Sequence, residues 1–119
     1  FFGLQAQVWT GNVDSDWNNP ANWSGNQVPT SGSFVTIPGS ASGGNFPIFE
    51  GSPIIDYTIQ NAGVITFNSF VFNTGTIINY NVGQLVSNNF FVNAGKVVFD
   101  NDGYFDNNGI LKGAEYEKR

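Results

Sequence analysis

The sequence has no cysteine, no histidine and no methionine, and it is poor in charge. Without cysteine no disulfide holds the fold, and no thiolate is available as a nucleophile or a ligand. Without histidine, imidazole metal sites and Ser-His-Asp triads are excluded. Four Lys and Arg against 9 Asp and Glu leave a net charge of −5, too acidic to cover a phosphate backbone, so nucleic acid is excluded as a partner. Charged residues make up 11% of the chain, against roughly 25% in an average soluble domain. No apolar run reaches the roughly 20 residues of a membrane-spanning helix, so no membrane span is expected. A chain that starts at Phe1 without methionine reads as processed or as a fragment.

What fills the gap is Asn and Gly, 17 and 15 of the 119 residues. Hydrophobic residues reach 40%, with 12 Phe, 4 Tyr and 3 Trp, enough for the core of one domain. Asn-x-Gly recurs at Asn61-Gly63, Asn73-Gly75, Asn81-Gly83, Asn93-Gly95, Asn101-Gly103 and Asn107-Gly109. The first five of these alternate at spacings of 12 and 8, a 20-residue period with two corners per repeat. Residues 61–80 and 81–100 share six identities in that register, while 41–60 keeps apolar positions but few identities. Between corners lie short runs such as Val64-Ile65-Thr66-Phe67 and Phe70-Val71-Phe72, rich in β-branched and aromatic residues, which read as strands. Asn tolerates and Gly prefers the left-handed conformation, which fits tight corners.

A coil of about 20 residues brings equivalent positions to one strand spacing, about 4.8 Å, so like side chains stack. Ile65, Leu85 and Phe105 form one such column, Phe70, Phe90 and Ile110 a second, Ile77 and Val97 a third. Asn68 over Asn88 and Asn73 over Asn93 would form amide ladders. The expected fold is therefore all-β, a short right-handed parallel β-solenoid with a Trp-rich N-terminal cap. A β-sandwich stays open as the alternative, since hairpins use the same corner residues.

Residues 1–7 read either as the remnant of a secretory signal, with cleavage after Leu4-Gln5-Ala6, or as an N-terminal strand for exchange between copies. Residues 8–33 form the cap segment, 34–113 the coils and 114–119 a charged tail. Within the cap, Trp9, Trp17 and Trp23 suit a lid over the open end of the solenoid, or else a platform for sugar rings. The pattern Trp9-x-Gly11, Trp17-Asn18, Asn22-Trp23-Ser24 and Val28-Pro29, followed by Phe34-Val35-Thr36-Ile37, is distinctive. It resembles the opening of large secreted and cell-surface β-solenoid proteins, adhesin-like or structural, of Bacteroidota-type bacteria. That resemblance implies an extracellular or cell-surface location.

Catalysis finds little support. Asp100-Asn101-Asp102-Gly103 looks like part of a calcium loop, but it aligns with the corners at Asn61-Ala62-Gly63 and Asn81-Val82-Gly83. Asp56, Asp100 and Asp106 share no column with a basic partner, so no acid/base pair emerges, and neither an enzyme nor a cofactor is expected. With Phe70, Phe72 and Ile77 taken as inward, Val71, Phe91, Ile78 and Val98 would form an outward apolar stripe. Phe1, Phe2, Leu4 and Val8 would supply the strand that a neighbouring copy lays against it. The expected partner is a second copy, stacked head to tail into a filament with the N-terminal strand exchanged. The rival is a monomeric adhesin or a module that binds surface glycans.

Overall fold

In a computed structural model the chain forms a parallel β-solenoid of about four turns, described over residues 6–80, 83–100, 103–113 and 116–118. The strands run in chain order as β1 (Ala6–Val8), β2 (Phe34–Ile37), β3 (Ile48–Phe49), β4 (Ile54–Ile55), β5 (Thr58–Asn61), β6 (Val64–Phe67) and β7 (Val71–Asn73). They continue as β8 (Thr76–Asn79), β9 (Gln84–Ser87), β10 (Phe90–Asn93), β11 (Lys96–Phe99), β12 (Tyr104–Asn107), β13 (Ile110–Gly113) and β14 (Tyr116–Lys118). Apart from one 3-10 turn at Pro20–Asn22, no helix is present among the described residues, and none is long and apolar enough to cross a membrane.

Every third strand from β3 onward joins the same sheet, so three parallel sheets enclose one core. The first runs β1-β2-β5-β8-β11-β14, the second β4-β7-β10-β13 and the third β3-β6-β9-β12. All strand pairs are parallel, which disposes of the sandwich alternative and its antiparallel hairpins. The repeat is 20 residues between Val64 and Gln84 and between Thr76 and Lys96, but 18 between Ile48 and Thr66 and between Thr58 and Thr76. That shorter coil is why residues 41–60 align poorly with 61–80 at a fixed offset.

Inside, each rung contributes one side chain per column. Val35, Ile59, Ile77 and Val97 stack in the first sheet, Ile65 and Leu85 in the third, Val71 and Phe91 in the second, all at 0% exposure. Phe49, Phe67, Phe91 and Phe105 form an aromatic file with successive centroids 5.2, 5.2 and 5.3 Å apart. Two consequences correct the sequence reading. Val71 and Phe91 are core residues, and Phe70 and Phe72 face out. Val98 lies on the outward side of β11, yet it is buried between Ile78 and Glu117, its partners on the neighbouring strands. Of the stripe expected from Val71, Ile78, Phe91 and Val98, only Ile78 is a partly exposed outward side chain.

The corners depend on Asn for a different reason than handedness. Asn61 Oδ1 accepts from the Gly63 N–H at 3.1 Å, and Asn73 Oδ1 accepts from Gly75 at 3.2 Å, so each side chain closes its own turn. The free amide then reaches the next coil. Asn61 Nδ2 donates to Asn79 Oδ1 at 2.7 Å, and Asn73 Nδ2 to Asn93 Oδ1 at 2.9 Å. Both ladders are buried, while Asn68, Asn88 and Asn108 form an exposed one on the outside. The glycines of these corners have ordinary negative-φ backbones. A Cβ at Gly75 would collide with the Tyr57 carbonyl, and one at Gly95 with the Gly75 carbonyl of the coil before.

Candidate functional site: a closed end and an open end

At one end the tryptophan segment packs as a lid on the first coil, with the Trp9 backbone N–H donating to the Thr36 carbonyl of β2 at 3.0 Å. Trp9, Trp17 and Trp23 are 1–2% exposed and pack as a mutual cluster, Trp23 edge-on to Trp17 at 4.7 Å and to Trp9 at 5.1 Å. Trp17 lies flat on Phe49 with centroids 4.0 Å apart, so it heads the aromatic file of the core. Each outer indole N–H has a partner: Trp9 Nε1 donates to the Asn45 carbonyl at 2.6 Å and Trp23 Nε1 to the Trp17 carbonyl at 2.9 Å. With their faces buried against one another, the three indoles offer no platform to a sugar ring.

The hub of the lid is Asn22, which is wholly buried. Its Oδ1 accepts from the N–H groups of Val13 and Asp14 at 2.9 and 3.0 Å, and its Nδ2 donates to Asp14 Oδ1 at 2.6 Å and the Asp16 carbonyl at 3.0 Å. The bond from the Asn22 amide, and after it one from the Asp16 N–H at 3.0 Å, hold the Asp14 carboxyl below its ordinary 3.8. Sequence reasoning singled out the tryptophans and missed this residue; the available signal was an Asn directly before Trp23 in a segment dense in turn formers. Asp16 bridges Ile48 and so adds a partial rung above β3. Around it a cavity of about 260 Å³ is lined by Asp14, Ser15, Asp16, Ile48, Glu50 and Asn68.

β1 belongs to this end. Ala6–Val8 lies in register on Phe34–Thr36 of its own chain, and the Val8 carbonyl accepts from Ser24 at 2.9 Å, so the lid folds over part of its outer edge. Val8 keeps 40% exposure. Phe1, Phe2 and Leu4, named above as the strand for exchange, lie outside the described residues.

The opposite end has no lid among the described residues. β12, β13 and β14 are the last strands of their sheets, and their inward positions continue the core columns: Phe105 under Leu85, Leu111 under Phe91, Tyr116 under Val97. In earlier rungs those columns are fully buried. Here Leu111 is 37% exposed, and Phe105 and Tyr116 are only half-buried. A shallow cavity of about 200 Å³ opens beside Phe105, lined also by Phe99, Gly103, Tyr104 and Lys118. The expected charged tail is therefore partly a strand: Tyr116–Lys118 pairs with β11, fixed by a Lys96–Glu117 ion pair at 3.5 Å and by the Tyr116 hydroxyl donating to the Lys112 carbonyl at 2.8 Å. Burial pushes the Tyr116 phenol up to about 12.

Among the described residues, no group of three or more carboxylates is placed to hold a metal ion. Of the suspected calcium loop, Asn101 and Asp102 lie outside the described residues, and the Gly103 N–H donates to the Asp100 carbonyl at 3.3 Å as in a turn. No protein-family model, curated protein or solved structure matches the chain.

Proposed function

We propose that the chain is an extracellular, non-catalytic structural subunit that works by stacking: its open C-terminal rung seats on another copy, and head-to-tail repetition builds a filament. The observation that carries this reading is the last described rung, where Phe105, Leu111 and Tyr116 continue the core columns and stay partly exposed among the described residues. β12, β13 and β14, each the terminal strand of its sheet among the described residues, surround that apolar centre, the arrangement that templates further strand addition. A stack in which different surfaces meet does not close on itself, so it grows. The low charge, the Leu4-Gln5-Ala6 triplet and the tryptophan pattern support a place outside the cell.

A second arrangement is favoured by the lid. With Trp9, Trp17 and Trp23 sealing one end, two copies meeting open end to open end would bury both last rungs and stop at a pair. Sedimentation velocity and negative-stain microscopy separate the cases: filaments support head-to-tail stacking, a species of twice 12.9 kDa supports the closed pair, and a 12.9 kDa monomer overturns both in favour of a solitary adhesion module. Leu111→Glu should abolish either assembly while leaving the circular dichroism of the coils intact.

A further inference from the structure

Outward side chains of an exposed antiparallel sheet are usually polar, and a parallel sheet is usually covered. Among the described residues the second sheet is neither covered nor polar. Ile54 is 62% exposed, Phe70 41% and Ile110 52%, and Phe72, Phe90 and Val92 are half-buried on the same face. Phe90 follows Phe70 along the solenoid axis with ring centroids 5.6 Å apart, and Ile110 is in register with Phe90. Alongside runs the outer amide ladder, in which Asn88 donates to Asn68 at 2.8 Å and Asn108 to Asn88 at 3.0 Å. An amide has two N–H donors and two acceptor lone pairs, so a ladder amide linked to its neighbours keeps bonding capacity toward solvent.

Area and charge select the occupant. Four strands of two, three, four and four residues, about 4.8 Å apart and about 3.3 Å per residue, make a plane of roughly 200 Å². Two such planes pressed together come to roughly 400 Å², below the roughly 1,200 Å² of a stable protein interface. No charged side chain stands among Ile54, Phe70, Phe72, Phe90 and Val92, and Lys112 enters only on the last strand, so a charged partner finds a single cation at one end of the face. A row of rings beside a row of amides matches a ligand with apolar CH faces and hydroxyl edges, repeated at about the length of one sugar residue. We propose that the outward face of β4, β7, β10 and β13 binds an extended, uncharged polysaccharide laid along the solenoid axis, its sugar faces on Phe70, Phe90 and Ile110 and its hydroxyls on Asn68, Asn88 and Asn108.

The test is retention of the full chain on microcrystalline cellulose and on chitin powder. Wild type should leave the supernatant on at least one of them, with no loss of binding when salt is raised. Phe70→Thr combined with Phe90→Thr should weaken retention about tenfold, the worth of two ring contacts. Thr suits an outward strand position, so the urea midpoint should hold; Asn88→Ala gives a second, independent weakening. Failure of wild type to bind either powder overturns the proposal, as does equal binding by the double variant or release by salt. Loss of self-assembly without loss of retention in the double variant also overturns it, marking the face as a contact between copies.

Discussion

At the scale of single residues, the Asn-x-Gly corner shows how one motif does two jobs, and why its reason was only half legible. Asn was read as a corner former, and the two 20-residue ladders were visible as matching positions. The Asn61–Asn79 ladder was not, because its partners sit 18 residues apart across the shorter coil. Asn73→Ala removes one of two acceptors of the Gly75 N–H, the other being the Ile55 carbonyl, together with the buried donor to Asn93, so it should cost about 1–3 kcal/mol in urea unfolding. Asn88→Ala, on the exposed ladder, should cost under about 1 kcal/mol. Glycine was read as a left-handed corner, whereas at Gly95 it answers close approach of the preceding coil. If handedness were the reason, Asn would replace it well. Steric contact with the Gly75 carbonyl predicts instead that Gly95→Asn and Gly95→Ala each lower stability by about 1–3 kcal/mol, readable from the same denaturation curves.

Element by element, strand identity was legible and strand parity only in part: Ile77 was placed inside and is buried, whereas Phe70 and Phe72 were placed inside and face out. Phe70-Val71-Phe72 is apolar at every position, so period-2 alternation offers no contrast with which to assign faces. The missing signal was the corner itself: Asn73 is buried, and Val71, two residues before it, must share its face. The same rule places Ile59 with Asn61, Ile77 with Asn79 and Phe91 with Asn93 inside. In the lid the tryptophans were legible from spacing, but their order depends on Asn22 and Asp14, whose contacts span eight residues of irregular backbone. Because the folded Asp14 carboxyl titrates below its ordinary value, its contribution is present above about pH 4 and is lost as pH falls through that lowered value. Tryptophan emission should therefore shift in acid before the coils lose circular dichroism. Asp14→Asn, which keeps an acceptor for the Asn22 amide, should flatten that pH dependence; an unchanged acid transition would show that the lid is held by other groups.

Across the described residues, stability should run downhill from the lid to the open end, because inner rungs are braced by coils on either side and the last described rung shows one such neighbour. At the closed end Trp17, Phe49 and Phe67 stack face to face; at the other, Phe105, Leu111 and Tyr116 meet solvent. Hydrogen exchange should accordingly release the amides of β12, β13 and β14 first and those of β5 through β9 last. Alkali gives the same polarity an independent readout. The folded Tyr116 phenol, raised to about 12 by burial, holds its proton where an unfolded tyrosine near 10 has lost it, so stability falls as pH rises from about 10 toward 12. β14 should peel from β11 across that window, taking the Lys96–Glu117 pair with it, while Tyr57, raised further by burial against Trp17, adds its own alkaline loss at the lid end. Tyr116→Phe removes the titration and should protect the β14 amides at pH 11. If a copy stacks on the open rung, the same amides become the protected ones on assembly, and the difference in their exchange between assembled and dissociated protein measures where the copies meet.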